Sequence, residues 1–246
     1  MNLRDLSGYH IEDRRHGLSI FQTDFADECA ELMEALDSWH IYAEEIIAGG
    51  GGLTPIVGRL RDRLYTFNWP KKHIHEQYIV NEVVKNSKSH EIDHFRESSN
   101  SGVALEIEWN NKDTFFDRDL SNYERLHQLN AISLGILVTR GPRLDNDLFD
   151  TIMNWVNENL DDNRDAVYEK VPPHKISTVE RQNERDPGDE ALHIAKAMFS
   201  SKYASTTTNW EQLIHRIERD EGYPAPIILI GIEPERVIAG SPPEEN

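Results

Sequence analysis

Hydrophobic positions along the chain recur with two periods, and the switches between them set out an alternating order of helices and strands. Apolar residues at helical spacing predict a long helix over 24–48, with Phe25, Leu32, Leu36, Trp39, Ala43 and Ile46 inward. Thr23 or Asp24 would cap its start, and the glycines at 49–52 would stop it. Thr54-Pro55 opens a second helix to about Tyr65, with proline in the first helical position. Strands are predicted over 77–84, 91–95 and 103–109. A helix over 119–132 turns Leu120, Tyr123, Leu126 and Leu129 inward, and 134–139 is a short apolar strand. An amphipathic helix follows over 145–160. The polar stretch 161–189 carries Pro172-Pro173 and Pro187-Gly188 and reads as an excursion or long loop. Residues 190–199 are helical, and Thr208-Asn209-Trp210-Glu211 has capping-box spacing before a helix to about Arg219. An apolar strand over 226–232 closes the order, ahead of a polar tail at 241–246. The β-β-α-β run at 91–139 predicts an α/β fold around one central sheet. No internal repeat or domain boundary is visible. The expectation is a single domain over 1–246 with an excursion around 161–189.

One strand carries more than a packing pattern. In Val103-Ala104-Leu105-Glu106-Ile107-Glu108-Trp109, Leu105, Ile107 and Trp109 share one side and Glu106 and Glu108 the other. Residues i and i+2 of a strand lie roughly 6–7 Å apart. Two carboxylates that close, in so apolar a segment, repel each other and lose hydration. A positive group is needed beside them, and a divalent metal with all-oxygen ligation, Mg²⁺, meets that need. Asp93, thirteen residues upstream of Glu106 in His90-Glu91-Ile92-Asp93-His94-Phe95, falls on an adjacent strand. Asp93, a hairpin, then Glu106-Ile107-Glu108 is the arrangement of a metal-dependent nuclease site. The competing reading is an exposed hairpin with a charged solvent face.

Composition narrows the classes. Hydrophobic content of 38% and charged content of 28% fit a soluble globular chain, and no run approaches the ~18–20 apolar residues of a membrane span. Met1-Asn2-Leu3-Arg4-Asp5 lacks a signal-peptide pattern, and the lone Cys29 rules out an internal disulfide, so a cytoplasmic location is expected. A net charge of −18 argues against a non-specific nucleic-acid coat but leaves room for a cleft enzyme that is locally basic. The glycines at 49–52 match no phosphate-loop spacing and read as a helix stop. His73, His75, His90 and His94 raise the question of zinc. No paired cysteine and no His-Glu-x-x-His pattern accompanies them, so they read as ordinary surface or core residues.

These segments together resemble type II restriction endonucleases of the BglII and BstYI group, within the PD-(D/E)XK nuclease fold. The acidic strand pair resembles that family's active-site hairpin. Leu53-Thr54-Pro55-Ile56-Val57 and Trp69-Pro70-Lys71 resemble its N-terminal half. Phe199 to Ile214 and Tyr223-Pro224-Ala225-Pro226-Ile227-Ile228-Leu229-Ile230-Gly231-Ile232 resemble its last loop, helix and strand. The resemblance implies a homodimer that cuts both strands of double-stranded DNA at a short palindrome with Mg²⁺, leaving 5′-phosphate ends. GATC-centred sites with 5′ overhangs are the group's habit. By resemblance, Asp93 and Glu106 hold the metal with the carbonyl of Ile107, and Glu108 occupies the third catalytic position. The nearest relatives carry glutamine there, and glutamate is similar to BamHI. The stretch 141–198 is longer than its counterpart in BstYI.

For DNA contact the resemblance points to Asn110 and Asn111 after the catalytic strand, and to Ser200, Ser201, Lys202, Tyr203, Ser205, Thr206 and Thr207 in a major-groove loop. Lys112 is a phosphate-contact candidate whose plainer reading is solvation. Arg118, Asn122 and Arg125 share the polar face of the following helix and are candidates for backbone contacts. Helices in the N-terminal half and at 117–132 are candidates for the dimer interface. The alternatives are a repair or recombination nuclease that reads structure, and a non-catalytic acidic dimerisation module.

Overall fold

The computed structural model describes residues 2–47, 54–98, 101–203 and 206–240. The glycines at 49–52, Ser205 and the tail at 241–246 lie outside the described residues. In chain order the elements are β1 (Tyr9–Arg14), α1 (Gly17–Asp24), α2 (Ala26–Asp37), β2 (Ile41–Tyr42), α3 (Ala43–Ile47), α4 (Pro55–Thr66), β3 (Lys72–Val80), β4 (Val83–Ile92), β5 (His94–Ser98) and β6 (Ser101–Glu108). They continue with α5 (Thr114–Gln128), β7 (Leu134–Arg140), α6 (Pro142–Leu160), α7 (Arg164–Lys170), α8 (Pro173–Arg185), α9 (Glu190–Lys202), α10 (Trp210–Ile217), β8 (Ile227–Ile232) and β9 (Val237–Ile238).

The central sheet has the order β1-β8-β7-β6-β5. β6, β7 and β8 run parallel, and antiparallel β5 and β1 close the two edges. The middle strands are buried on both faces, which is why Leu134 to Val138 and Ile227 to Ile230 read as almost unbroken apolar runs. One face packs Val103, Leu105, Ile107, Ile136 and Val138 under α1, α2, α4, α6 and α9. The other packs Ala104, Leu137 and Leu229 under α5 and α10. This is the mixed α/β sheet flanked by helices that the pattern predicts.

Several expectations over single elements are corrected. The long helix over 24–48 is broken: the Ser38 hydroxyl donates to the Glu34 and Ala35 carbonyls, and Arg236 donates to those of Leu36, Asp37 and Trp39, together capping the end of α2. The chain then turns, Trp39 donates its indole N–H to the Ile56 carbonyl, and Ile41 pairs with Val237. The strand predicted over 77–84 is a hairpin, with Asn81 and Glu82 both at positive φ (49° and 64°), as a two-residue turn between twisted strands requires. The strand over 91–95 is interrupted at Asp93, which separates β4 from β5. The helix over 119–132 starts five residues earlier, at Thr114, and Leu129 is 54% exposed at its end rather than inward. The excursion over 161–189 is largely helical: α7 and α8 bury Val167 and Val179 and pack against α6 and α9.

Candidate active site

The site is assembled where β4 gives way to β5, along β6, and on the buried face of α5. β6 alternates as predicted: Leu105 and Ile107 enter one core, and Glu106 and Glu108 face the other side. Both glutamates are only 1% exposed, so the solvent-face reading of the hairpin is corrected. β5 pairs with β6, His94 opposite Leu105, and this brings the preceding residue Asp93 beside Glu106. The Asp93 backbone N–H donates to Glu106 Oε2 at 3.2 Å. The Asp93 side chain is 42% exposed, and Lys71 Nζ stands 3.5 Å from its Oδ1. Ile107 lies between the glutamates, with its side chain in the opposite core.

α5 adds residues that sequence reasoning missed. The helix crosses the sheet closely because Gly135 of β7 leaves room for the Tyr123 ring, 2.3 Å from where a β-carbon would stand. Tyr123 donates its hydroxyl to the Ile136 carbonyl at 2.7 Å. That anchor sets the stripe Phe116, Asp119, Leu120, Tyr123 and Leu126 against the sheet. Asp119 is thereby fully buried. Its place on an otherwise apolar helical stripe was the available signal, hidden because the helix was read as beginning there. Arg118 Nε donates to Asp119 Oδ1 at 2.8 Å, and Arg118 Nη2 lies 3.4 Å from Glu108 Oε1.

Asn111 donates its side-chain N–H to Glu108 Oε2 at 2.6 Å. Asn122 lies against the His90 ring, and a His90 ring nitrogen is 3.5 Å from Glu106 Oε1. Arg125 pairs with Glu76 of the hairpin. Arg118, Asn122 and Arg125 are thus engaged with the site and the hairpin.

Asp93, Glu106, Glu108 and Asp119 converge, and among the described residues Arg118 and the outlying Lys71 are the lysine and arginine cations paired with them. Burial, then Asp119, pushes Glu106 well above the ordinary carboxylate range, with Asp93 and Glu108 adding to it. Burial and Asp119 push Glu108 up likewise, and burial raises Asp119 against the opposing pull of Arg118. Glu106 Oε1 and Asp119 Oδ2 are buried with no hydrogen-bond partner among the described residues. Crowded, under-neutralised, oxygen-rich and orphaned groups of this kind fit a divalent metal. Among the described residues, His90, Glu106 and Asp119 present ligand atoms within 4.8 Å of one another.

The DNA-contact candidates separate into two sets. Asn111 and Thr208 exchange hydrogen bonds, the Asn111 N–H to Thr208 Oγ1 at 3.1 Å and the Thr208 N–H to the Asn111 carbonyl at 2.9 Å. Lys112 pairs with Thr207, and the Asp113 N–H donates to the Thr206 carbonyl. Residues 110–112 and 206–208 therefore form one lip next to Glu108. Ser200, Ser201 and Lys202 instead belong to α9, which corrects the loop predicted there. Lys202 and Tyr203 point inward, the Tyr203 hydroxyl donating to the Ile46 carbonyl at 3.0 Å. Ser200 and Thr206 are exposed. No helix among the described residues is long and apolar enough to cross a membrane.

The family model for restriction endonuclease BglII/BglIII matches residues 9–232, from the first strand of the central sheet to the last residue of β8. None of the curated proteins compared matches the chain.

Proposed function

The chain belongs to the BglII/BglIII restriction endonuclease family, a family of type II, site-specific DNA-cleaving hydrolases, and on that premise we propose how its own residues cut DNA. The observation that carries the reading is the convergence of Asp93, Glu106 and Glu108 with too little positive charge beside them. Asp93 and Glu106 would hold Mg²⁺, with the Ile107 carbonyl as a further ligand. The ion, when bound, polarises the scissile phosphate and offsets developing charge.

Glu108 positions the attacking water and accepts its proton, held in orientation by the Asn111 amide and Arg118. The water oxygen bonds to phosphorus, the P–O3′ bond breaks, and the leaving O3′ takes a proton from solvent water. The products are a 5′-phosphate and a 3′-hydroxyl. Asn110, Asn111, Lys112, Thr206 and Thr207 line the lip beside the carboxylates and contact the duplex, with exposed Ser200 nearby in sequence. Two copies of the chain, one per strand, would cut a palindrome. A GATC-centred site with 5′ overhangs is the form we expect.

Purified protein should cleave duplex DNA in Mg²⁺ and not in excess chelator. Glu106→Ala should lower cleavage by more than about 10³-fold, since it removes a shared ligand of the ion. Cleavage at the wild-type rate by that variant would refute the assignment.

A further inference from the structure

The Glu106 carboxylate has two sides. Oε2 accepts from the Asp93 backbone N–H, so it belongs to the Asp93 side of the site. Oε1 looks the other way, toward a His90 ring nitrogen at 3.5 Å and toward Asp119. Among the described residues neither Oε1 nor Asp119 Oδ2 has a hydrogen-bond partner, although their residues are 1% and 0% exposed. Buried oxygens left unpaired are costly, and orphaned carboxylate oxygens on opposing elements mark a place for a cation. His90 comes from β4, Glu106 from β6 and Asp119 from α5, so three elements converge on one point. The Asn122 amide nitrogen lies 2.9 Å from His90 Nδ1 and 3.2 Å from His90 Nε2, and fixes where the ring sits.

We propose that His90, Glu106 and Asp119 form a second metal position, distinct from the Asp93 side and joined to it through Glu106. It is a mixed nitrogen–oxygen site. Imidazole is a poor partner for Mg²⁺ and a good one for borderline metals such as Co²⁺ and Zn²⁺, and Mn²⁺, though oxygen-seeking, accepts it more readily than Mg²⁺ does, so this position takes Zn²⁺, Co²⁺ or Mn²⁺ in preference to Mg²⁺. The inference rests on the metal reading of the neighbouring carboxylates but makes a separate demand, a nitrogen ligand.

The test uses Mn²⁺ alone on the full-length protein without DNA. Calorimetric titration counts the bound ions, and electron spin echo spectroscopy detects a nitrogen directly bonded to Mn²⁺. Wild-type protein should bind a second equivalent of Mn²⁺ and show nitrogen modulation, whereas Mg²⁺ should fill the Asp93 side only. His90→Ala should abolish the modulation and weaken the second equivalent at least as much as loss of an outer-shell partner does, roughly 10–100-fold. The more conservative His90→Asn should do the same, as should Asp119→Asn. His73→Ala, at an exposed histidine on the same hairpin, should change neither readout. Mn²⁺ bound with no nitrogen modulation, or with modulation that survives His90→Ala, would overturn the second position and leave the Asp93 site standing. No Mn²⁺ bound at all would overturn both.

Discussion

At the scale of single residues, the site depends on which polar groups are buried and what answers them. Glu108 is positioned by Asn111 and Arg118 beside a second buried acid, Asp119. Glu108→Gln keeps the shape of the side chain and removes its ability to take a proton. It should retain DNA binding and cleave about 10²–10⁴-fold more slowly, the usual range for loss of a general base. Normal cleavage rates in a single-turnover assay would contradict that role. A second residue tests burial away from the chemistry. Lys202 is 8% exposed, its Nζ has no hydrogen-bond partner among the described residues, and burial lowers its pKa to about 8, with Lys170 adding to it. Its unfolded value is about 10.4, so the unfolded chain binds the proton more readily between these limits. The lysine therefore costs stability at neutral pH, and that cost fades as pH rises through about 8 and beyond. Lys202→Met should stabilise the protein at pH 7 by about 1–3 kcal/mol, the price of an unpaired buried polar group. The gain should shrink toward pH 10, as read from urea unfolding midpoints; an equal gain at both pH values would count against this origin.

At the scale of elements, the three parallel strands were legible because period-2 and unbroken apolar runs are set by burial, and these strands are buried on both faces; the edge strand β1 was not read. The acidic strand was legible for the same reason, as its glutamates interrupt the alternation on one side only. Distant contacts were not legible. Locally only Ser38 marks the end of the helix near Asp37, its hydroxyl donating to the Glu34 and Ala35 carbonyls; the guanidinium of Arg236, some two hundred residues later, takes those of Leu36 and Asp37. Asp119 escaped because α5 was read from Asp119 onward, so its place between Phe116 and Leu120 was never seen. His90 escaped because pairing across the β3–β4 hairpin, rather than ligand spacing in the chain, brings it to Glu106. The apparent loop over 161–189 misled through its prolines, which in fact begin helices: Pro173 is the first residue of α8. Arg236→Ala tests the capping argument. It removes the donor to the Asp37 and Trp39 carbonyls, while Leu36 keeps the Tyr9 hydroxyl, and should cost roughly 2–4 kcal/mol in urea unfolding. A midpoint matching wild type would show that water satisfies those carbonyls equally well.

At the scale of the whole molecule, an acidic protein buries Glu106, Glu108 and Asp119 together, at the proposed site of DNA cleavage. That arrangement links stability to both pH and metal. In the metal-free protein Glu106 and Glu108 hold their protons more tightly when folded than when unfolded. Their stabilising contribution is complete below the ordinary carboxylate pKa of about 4.3 and is lost as pH rises through the raised values. Melting temperature in chelator should therefore fall from pH 5 to pH 8. Added Mg²⁺ or Mn²⁺ should restore it at pH 8, by about 2.7 kcal/mol at a hundredfold excess over Kd, with each kcal/mol worth roughly 2–4 °C in a chain of this size. A chelator melt that does not fall, with no response to metal, would contradict the arrangement.

The most direct test of the central claim is to incubate the wild-type protein with unmethylated, sequence-diverse DNA, with and without Mg²⁺, and to sequence the fragment ends. The account predicts discrete, Mg²⁺-dependent fragments whose ends share one short palindrome and carry 5′-phosphates. Scattered nicks with no shared sequence, or DNA left intact in both Mg²⁺ and Mn²⁺, would contradict it.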